Sequence, residues 1–206
     1  MYNKIEEQLI KIPKQFLEDL LENILNASKV AFNKSKESTD KGFHSSELGH
    51  QRSWQTGNQL YATAIMHDFT CIEGKGNTTS VANINGINIV RVNLNTSSRN
   101  DKIIKNKTSI ELSRCNKAIE SIIQPDIFDN PLDATNMFLC ILITYNRKSI
   151  DPISIELFVP SSDAKECLYR IPLSKFLSKY ESEEDVDTIE KGPQPKLKKV
   201  IQQLEK

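Results

Sequence analysis

Nine consecutive residues, Met137–Tyr145, are interrupted by a single polar side chain, Thr144. The run is far shorter than the roughly 20 residues a membrane-spanning helix needs. It is also continuously apolar rather than alternating, which is the pattern of a central strand buried on both faces. After a turn over 146–152, Ile153–Val159 alternates. Ile153, Ile155, Leu157 and Val159 point inward, Ser154 and Glu156 outward, so the segment reads as an antiparallel partner of the first strand.

A hairpin precedes these two strands. Ser80–Ile84 and Ile87–Leu94 are rich in β-branched residues and flank Asn85-Gly86, the dipeptide that most readily takes positive φ at both positions of a two-residue turn. A short strand over Phe69–Ile72 completes a set of five. The sheet is thus expected to be mixed or antiparallel, with about five strands and helices packed on one face, an α+β domain.

The helices come mainly from the N-terminal part, 1–66. From Pro13 to Phe32, Phe16, Leu17, Leu20, Leu21, Ile24 and Leu25 form one apolar stripe with Lys14, Glu18, Asp19 and Glu22 opposite. Asn33–Gly42 is polar and reads as an exposed loop. A second helix runs from about Ser46 to Met66, weakened by Gly49 and Gly57, each of which costs up to ~1 kcal/mol relative to Ala. Further on, Thr108-Ser-Ile-Glu111 has the spacing of a capping box. The helix it opens carries Leu112, Cys115, Ile119, Ile122 and Ile123 on its apolar face and stops before Pro125. Ser174–Tyr180 is a short amphipathic helix.

We expect one domain over 1–180 followed by a charged tail, 181–206. Residues 181–190 carry six acidic groups and no basic one, and Gly192, Pro193 and Pro195 separate them from a basic end. That tail is a candidate contact for a protein partner. The N-terminus has no apolar signal-peptide core. The four cysteines form no CxxC pair, and Cys115 and Cys140 fall at apolar positions, as in a reducing compartment. The expected location is therefore cytoplasmic, with no membrane contact.

Charge and motifs narrow the chemistry. Lysine and arginine balance aspartate and glutamate at 27 each, which argues against a wholesale electrostatic nucleic-acid binder. Residues 91–120 nevertheless hold seven basic and three acidic groups. Within them Arg99, Lys102, Lys105, Lys107, Arg114 and Lys117 could track a nucleic-acid backbone, although a solvated Lys-rich loop is the simpler reading. Nucleotide-binding, zinc-protease, serine-hydrolase and calcium motifs are absent. Gly74–Thr79 lacks the spacing of a phosphate loop. Glu73-Gly74-Lys75 has the Glu-x-Lys form of Mg-dependent restriction-type nucleases, with Glu47 and Asp68 as upstream acids; the plain alternative is a charged hairpin entry. No metal ligand set and no cofactor site are assigned.

All three histidines fall within Phe43–Asp68, beside Arg52, the lone Trp54 and Asn58. His, Arg and Asn can together bind a phosphate and move a proton, so His50, Arg52 and Asn58 form the candidate catalytic set. The plain alternative puts His50 and Arg52 on a solvated helix face and Trp54 in the core.

The stretch Arg114-Cys-Asn-Lys-Ala-Ile-Glu-Ser-Ile-Ile-Gln-Pro-Asp-Ile-Phe128, with Ile153–Pro160 later, resembles a group of bacterial proteins. These lie beside helix-turn-helix regulators fused to a zinc-peptidase-like domain. The resemblance covers about residues 50 to 180, in helix and strand patterns, and brings no active-site residues with it. It implies an effector of a toxin–antitoxin or phage-defence module that acts with an antitoxin or regulator. A non-catalytic adaptor is the rival expectation.

Overall fold

Six strands form one sheet in the order β1-β2-β3-β4-β5-β6, so spatial order follows chain order. The strands are β1 (Thr70–Ile72), β2 (Val81–Ile84), β3 (Ile87–Asn95), β4 (Met137–Tyr145), β5 (Ser154–Pro160) and β6 (Cys167–Pro172). The computed structural model describes residues 3–37, 44–74, 79–96, 103–123, 136–146 and 149–180. All neighbouring strands are antiparallel except β3 and β4, which run parallel, making the sheet mixed. The Asn85-Gly86 turn has φ of 51° and 87°, as its sequence demands.

β4 is buried on both sides as its composition requires. Leu139, Ile141, Ile143 and Tyr145 enter one cluster, where the buried stripe of α2 (Lys14–Glu37), including Phe16, Leu17 and Leu20, meets them. Ile5 and Leu9 of α1 (Asn3–Leu9) and Leu60 and Ala64 of α3 (His44–Met66) complete that layer. Phe138, Cys140 and Leu142 enter a second, smaller cluster with Val90 and Phe158. Leu112 of α4 (Lys107–Ser113), together with Ile103 and Ile104, covers this opposite face. No helix among the described residues is long and apolar enough to cross a membrane.

A parallel β3–β4 pair requires a crossover, and its described part wraps the sheet. α4 and α5 (Lys117–Ile123) are joined by a tight 3-10 turn at Arg114–Asn116 rather than forming the single helix expected. The turn lets Cys115 pack on the second cluster while Ile119 packs on the first. It also buries Asn116. The Asn116 amide donates to the carbonyls of Phe138 (3.0 Å) and Pro160 (2.8 Å), and its Oδ1 accepts from the Phe138 N–H at 2.7 Å. One side chain thus replaces the next backbone rung between β4 and β5, beyond the last register pair Cys140–Phe158.

Other boundaries differ from expectation. The expected loop from Asn33 is helical to Glu37, where Ser35 stays buried, and 38–43 lie outside the described residues. The helix cap is Asn106, whose side chain accepts from the Thr108 N–H at 2.8 Å, so Thr108 and Glu111 sit inside the helix. Asparagine caps as well as threonine and comes first in the chain. Ile153 is 58% exposed because β5 begins after it. β6 went unpredicted. It forms a hairpin with β5 through a turn in which Ser161 Oγ accepts from the N–H groups of Lys165 and Glu166. The helix over residues 173–180, α6, buries Leu173 and Phe176.

Removing the Asn116 amide strands buried backbone groups on both strands. Asn116→Ala is expected to cost about 2–4 kcal/mol, read as a lower urea midpoint with an unchanged slope.

Candidate functional site

The two ends of β3 differ in kind. Strand alternation puts Ile87, Ile89, Arg91 and Asn93 on the face that α3 covers. Ile87 and Ile89 are core, whereas Arg91 and Asn93 introduce charge and an amide between the sheet and the helix. β2 pairs with β3 from Ile87 only as far as Val90, while β4 pairs with it from Ile87 to Asn95. Among the described residues, the β2 pairing of β3 ends at Val90.

Thr56 of α3 organises the polar layer. Its hydroxyl donates to the Arg52 carbonyl at 2.6 Å and accepts from Arg91 Nη1 at 3.2 Å and from Asn93 Nδ2 at 3.4 Å. Gly57 gives the guanidinium room: a Cβ there would stand 3.3 Å from Arg91 Nη2. Among the described residues no hydrogen-bond partner is found for the enclosed Arg91 Nε and Asn93 Oδ1, nor for Arg52 Nε. Burial pulls the Arg91 pKa below the ordinary arginine value, partly offset by Tyr145, but a guanidinium stays protonated in a protein. No salt bridge to Arg91 is found among the described residues.

Arg91 stands at the junction of a two-lobed cleft. One lobe, of about 280 Å³, is lined by Ser53, Trp54, Asn58, Thr79 and Ser80 among others. The other, of about 620 Å³, runs along the open edge of β3 past Asn93, Lys105, Asn106 and Ser109. Ser53, Thr79 and Arg91 belong to both. Three cationic residues, Arg91, Lys105 and Arg170, and no acidic one line the two lobes among the described residues. Arg170 is already paired with Glu156 at 2.7 Å. The Asn106 amide reaches Thr79 Oγ1 at 3.4 Å, so the α4 cap also forms part of the cleft wall.

The residues singled out from sequence are dispersed. Arg52 is 6% exposed and points away from solvent. Its Nη1 donates to the Asn146 carbonyl at 3.0 Å and its Nη2 to the Ser149 carbonyl, which ties α3 to the β4–β5 connection. Its Cζ lies 4.2 Å from the centre of the Tyr145 ring. The Tyr145 hydroxyl shares a 2.8 Å hydrogen bond with Ser28 of α2, and burial pushes its pKa up. His50 and Asn58 are exposed on α3. At 100° per residue His50 and Arg52 stand about 160° apart on the helix. Of the three, only Asn58 lines the cleft. His67 is held by Asp19 at 2.8 Å and packs edge-on against Phe16.

The basic set is divided as well. Lys105 lines the cleft, and Lys107 starts α4 beside it, near Glu111 at 3.9 Å. Arg114 and Lys117 are exposed at the far end of α4, next to Asn116. Arg99, Lys102 and Lys75, and the tail 181–206, lie outside the described residues. Glu73 is exposed, and no three His, Cys, Asp or Glu side chains gather as a metal-binding group among the described residues. Trp54, read as a core residue in the plain alternative, is 74% exposed and lines the smaller lobe. Arg91, Asn93 and Trp54 are what the sequence reading missed. The signal was the switch from Ile-x-Ile to Arg-x-Asn along one strand face.

The fold and site define an α+β domain with a cationic cleft at an open strand edge. No family model matches the chain, and neither do any curated proteins or solved structures.

Four variants at three positions of α3 probe this framework. Arg52→Ala should destabilise the fold by about 2–3 kcal/mol by freeing the β4–β5 connection, and Arg52→Lys should not restore it, because one ammonium cannot replace the planar fork. Gly49→Ala, where nothing lies within 4 Å, should gain up to ~1 kcal/mol of helix propensity. Gly57→Ala should gain less, because Arg91 must move. Thermal melts of the four proteins check both statements.

Proposed function

We propose that the chain is a binding module that recognises an anionic group in the cleft over Arg91. The observation that carries this reading is a guanidinium beside Gly57 and Thr56 that lines both lobes of the cleft and has no salt bridge to a carboxylate among the described residues. Such a cation costs free energy in the unliganded fold. An anion in the cleft would offset that cost, because charge-assisted bidentate pairs are the strongest hydrogen bonds a guanidinium makes.

A second reading is the effector half of a bacterial toxin–antitoxin or defence pair. It would work in the cytoplasm with an antitoxin or regulator held by the C-terminal segment. Asn58 and Arg91 favour it, since they line one lobe as residues gripping a phosphodiester would. Induced expression tests it. Arrest by the wild type and normal growth with Arg91→Met support an effector; normal growth with both supports a binding module alone.

The anion site itself is tested by melting. Inorganic pyrophosphate at ten times its dissociation constant should add about 1.4 kcal/mol, or about 3–5 °C for a chain of this size. Arg91→Met should melt at or above the unliganded wild type and gain nothing from pyrophosphate. A variant that melts lower yet still responds to pyrophosphate would show Arg91 to be structural, and the reading would fall.

A further inference from the structure

We infer that the cleft takes a segment of single-stranded nucleic acid, with a phosphate at Arg91, a base on Trp54 and the next nucleoside in the larger lobe. The inference rests on the anion-binding reading and specifies its ligand. Three independent features point to it.

The first is the division of the cleft. Arg91, Ser53 and Thr79 line both lobes, so a charged group at the junction has a separate compartment on either side. A phosphodiester linkage has that form: one anion with a nucleoside on each flank. A free carboxylate or phosphate would leave at least one lobe empty.

The second is the indole of Trp54. It is 74% exposed and belongs to the smaller lobe together with Asn58 and Ser80. A large aromatic face held on a helix, in the same lobe as hydroxyl and amide groups and a cation, is suited to stacking a base while the polar groups meet its edge or the sugar. An acidic peptide needs the cation but has no use for an aromatic platform.

The third is the strand edge. Ile84 and Ile87 flank a two-residue turn, and such residues exchange both backbone hydrogen bonds. By the two-residue period, the backbone N–H groups of Arg91 and Asn93 face the same edge as those of Ile87 and Ile89, but beyond the end of β2. They lie along the larger lobe, which Lys105 also lines. Backbone and lysine donors there suit a continuing sugar–phosphate chain. A duplex is excluded on shape, because a base paired in a helix cannot turn its face to Trp54.

Trp54 is the sole tryptophan of the chain, so its fluorescence reports the site directly. The full-length protein is titrated with a 12-nucleotide single strand of DNA, the same strand as RNA, the corresponding duplex, a mononucleotide and polyglutamate. Single strands are expected to quench Trp54, to bind more weakly as salt rises, and to lose roughly tenfold or more in affinity in Arg91→Met. Trp54→Phe, at a solvent-exposed position, should keep its melting temperature and bind a labelled strand roughly fivefold more weakly by anisotropy. Equal quenching by duplex or by polyglutamate overturns the inference, and so does a mononucleotide that binds as tightly as the strand. Absence of quenching while pyrophosphate still stabilises the protein through Arg91 overturns the nucleic-acid ligand and leaves the anion site standing. Absence of both effects removes the two together.

Discussion

Everything in the sheet follows from the two-sided burial of β4. A strand apolar on both faces needs a full-length neighbour on each side and cover above and below. β3 meets the first demand by pairing residue for residue with β4, Ile87 with Met137 through Asn95 with Tyr145. That pairing is parallel, so the chain between them must cross over, and it carries α4 and α5 to the far side and around the end of the sheet. β2, by contrast, pairs with only four residues of β3. Among the described residues, the difference in length between β2 and β4 leaves the later part of β3 unpaired with β2, and the cleft runs along that edge.

The polar layer beneath α3 is the counterpart of this opening. Helix and sheet are joined by core contacts around Leu60 and Ala64 at one end. At the other they are joined by Thr56, Arg52, Arg91 and Asn93. Arg52 has its carbonyl partners and an aromatic ring, so it acts as a strut between α3 and the β4–β5 connection. Arg91 has Thr56 on one nitrogen; its enclosed Nε, like that of Arg52, has no partner among the described residues, and of the two arginines it is Arg91 that lines the cleft. Two arginines on either side of one threonine thus have different surroundings, Arg52 tied to backbone carbonyls and Arg91 lining the cleft.

The framework was legible because its signals are local. The apolar run of β4, the Asn85-Gly86 turn and the stripe of α2 each follow from short-range chemistry, and each stands where it was expected. What was missed depends on contacts distant in the chain. Asn106 capped α4 ahead of Thr108, and Asn116 broke the helix because its amide completes a rung between strands 22 and 44 residues away. The candidate site was read from residue types close in sequence. His50, Arg52 and Asn58 are close together on α3, but the helix turns His50 and Asn58 to solvent and Arg52 inward. Trp54 looked like core because tryptophan usually is, and its exposure could be seen only once α2 and the sheet had taken the opposite face of α3.

The parallel pairing has a consequence for how the chain is made. Ile87 waits for Met137, 50 positions further along. While the ribosome is adding those residues, the N-terminal helices and the β2–β3 hairpin can assemble, but the β4 side of β3 has no partner and Ile89 and Val90 have no cover from β4. Non-local strand pairs form slowly because the intervening loop must first be closed. A nascent chain of this protein therefore presents a bare apolar strand edge for the time it takes to synthesise a quarter of its length. An edge left bare over that interval is the kind of surface on which nascent chains misassociate, so synthesis speed and chaperone access bear on folding alongside the stability of the finished domain.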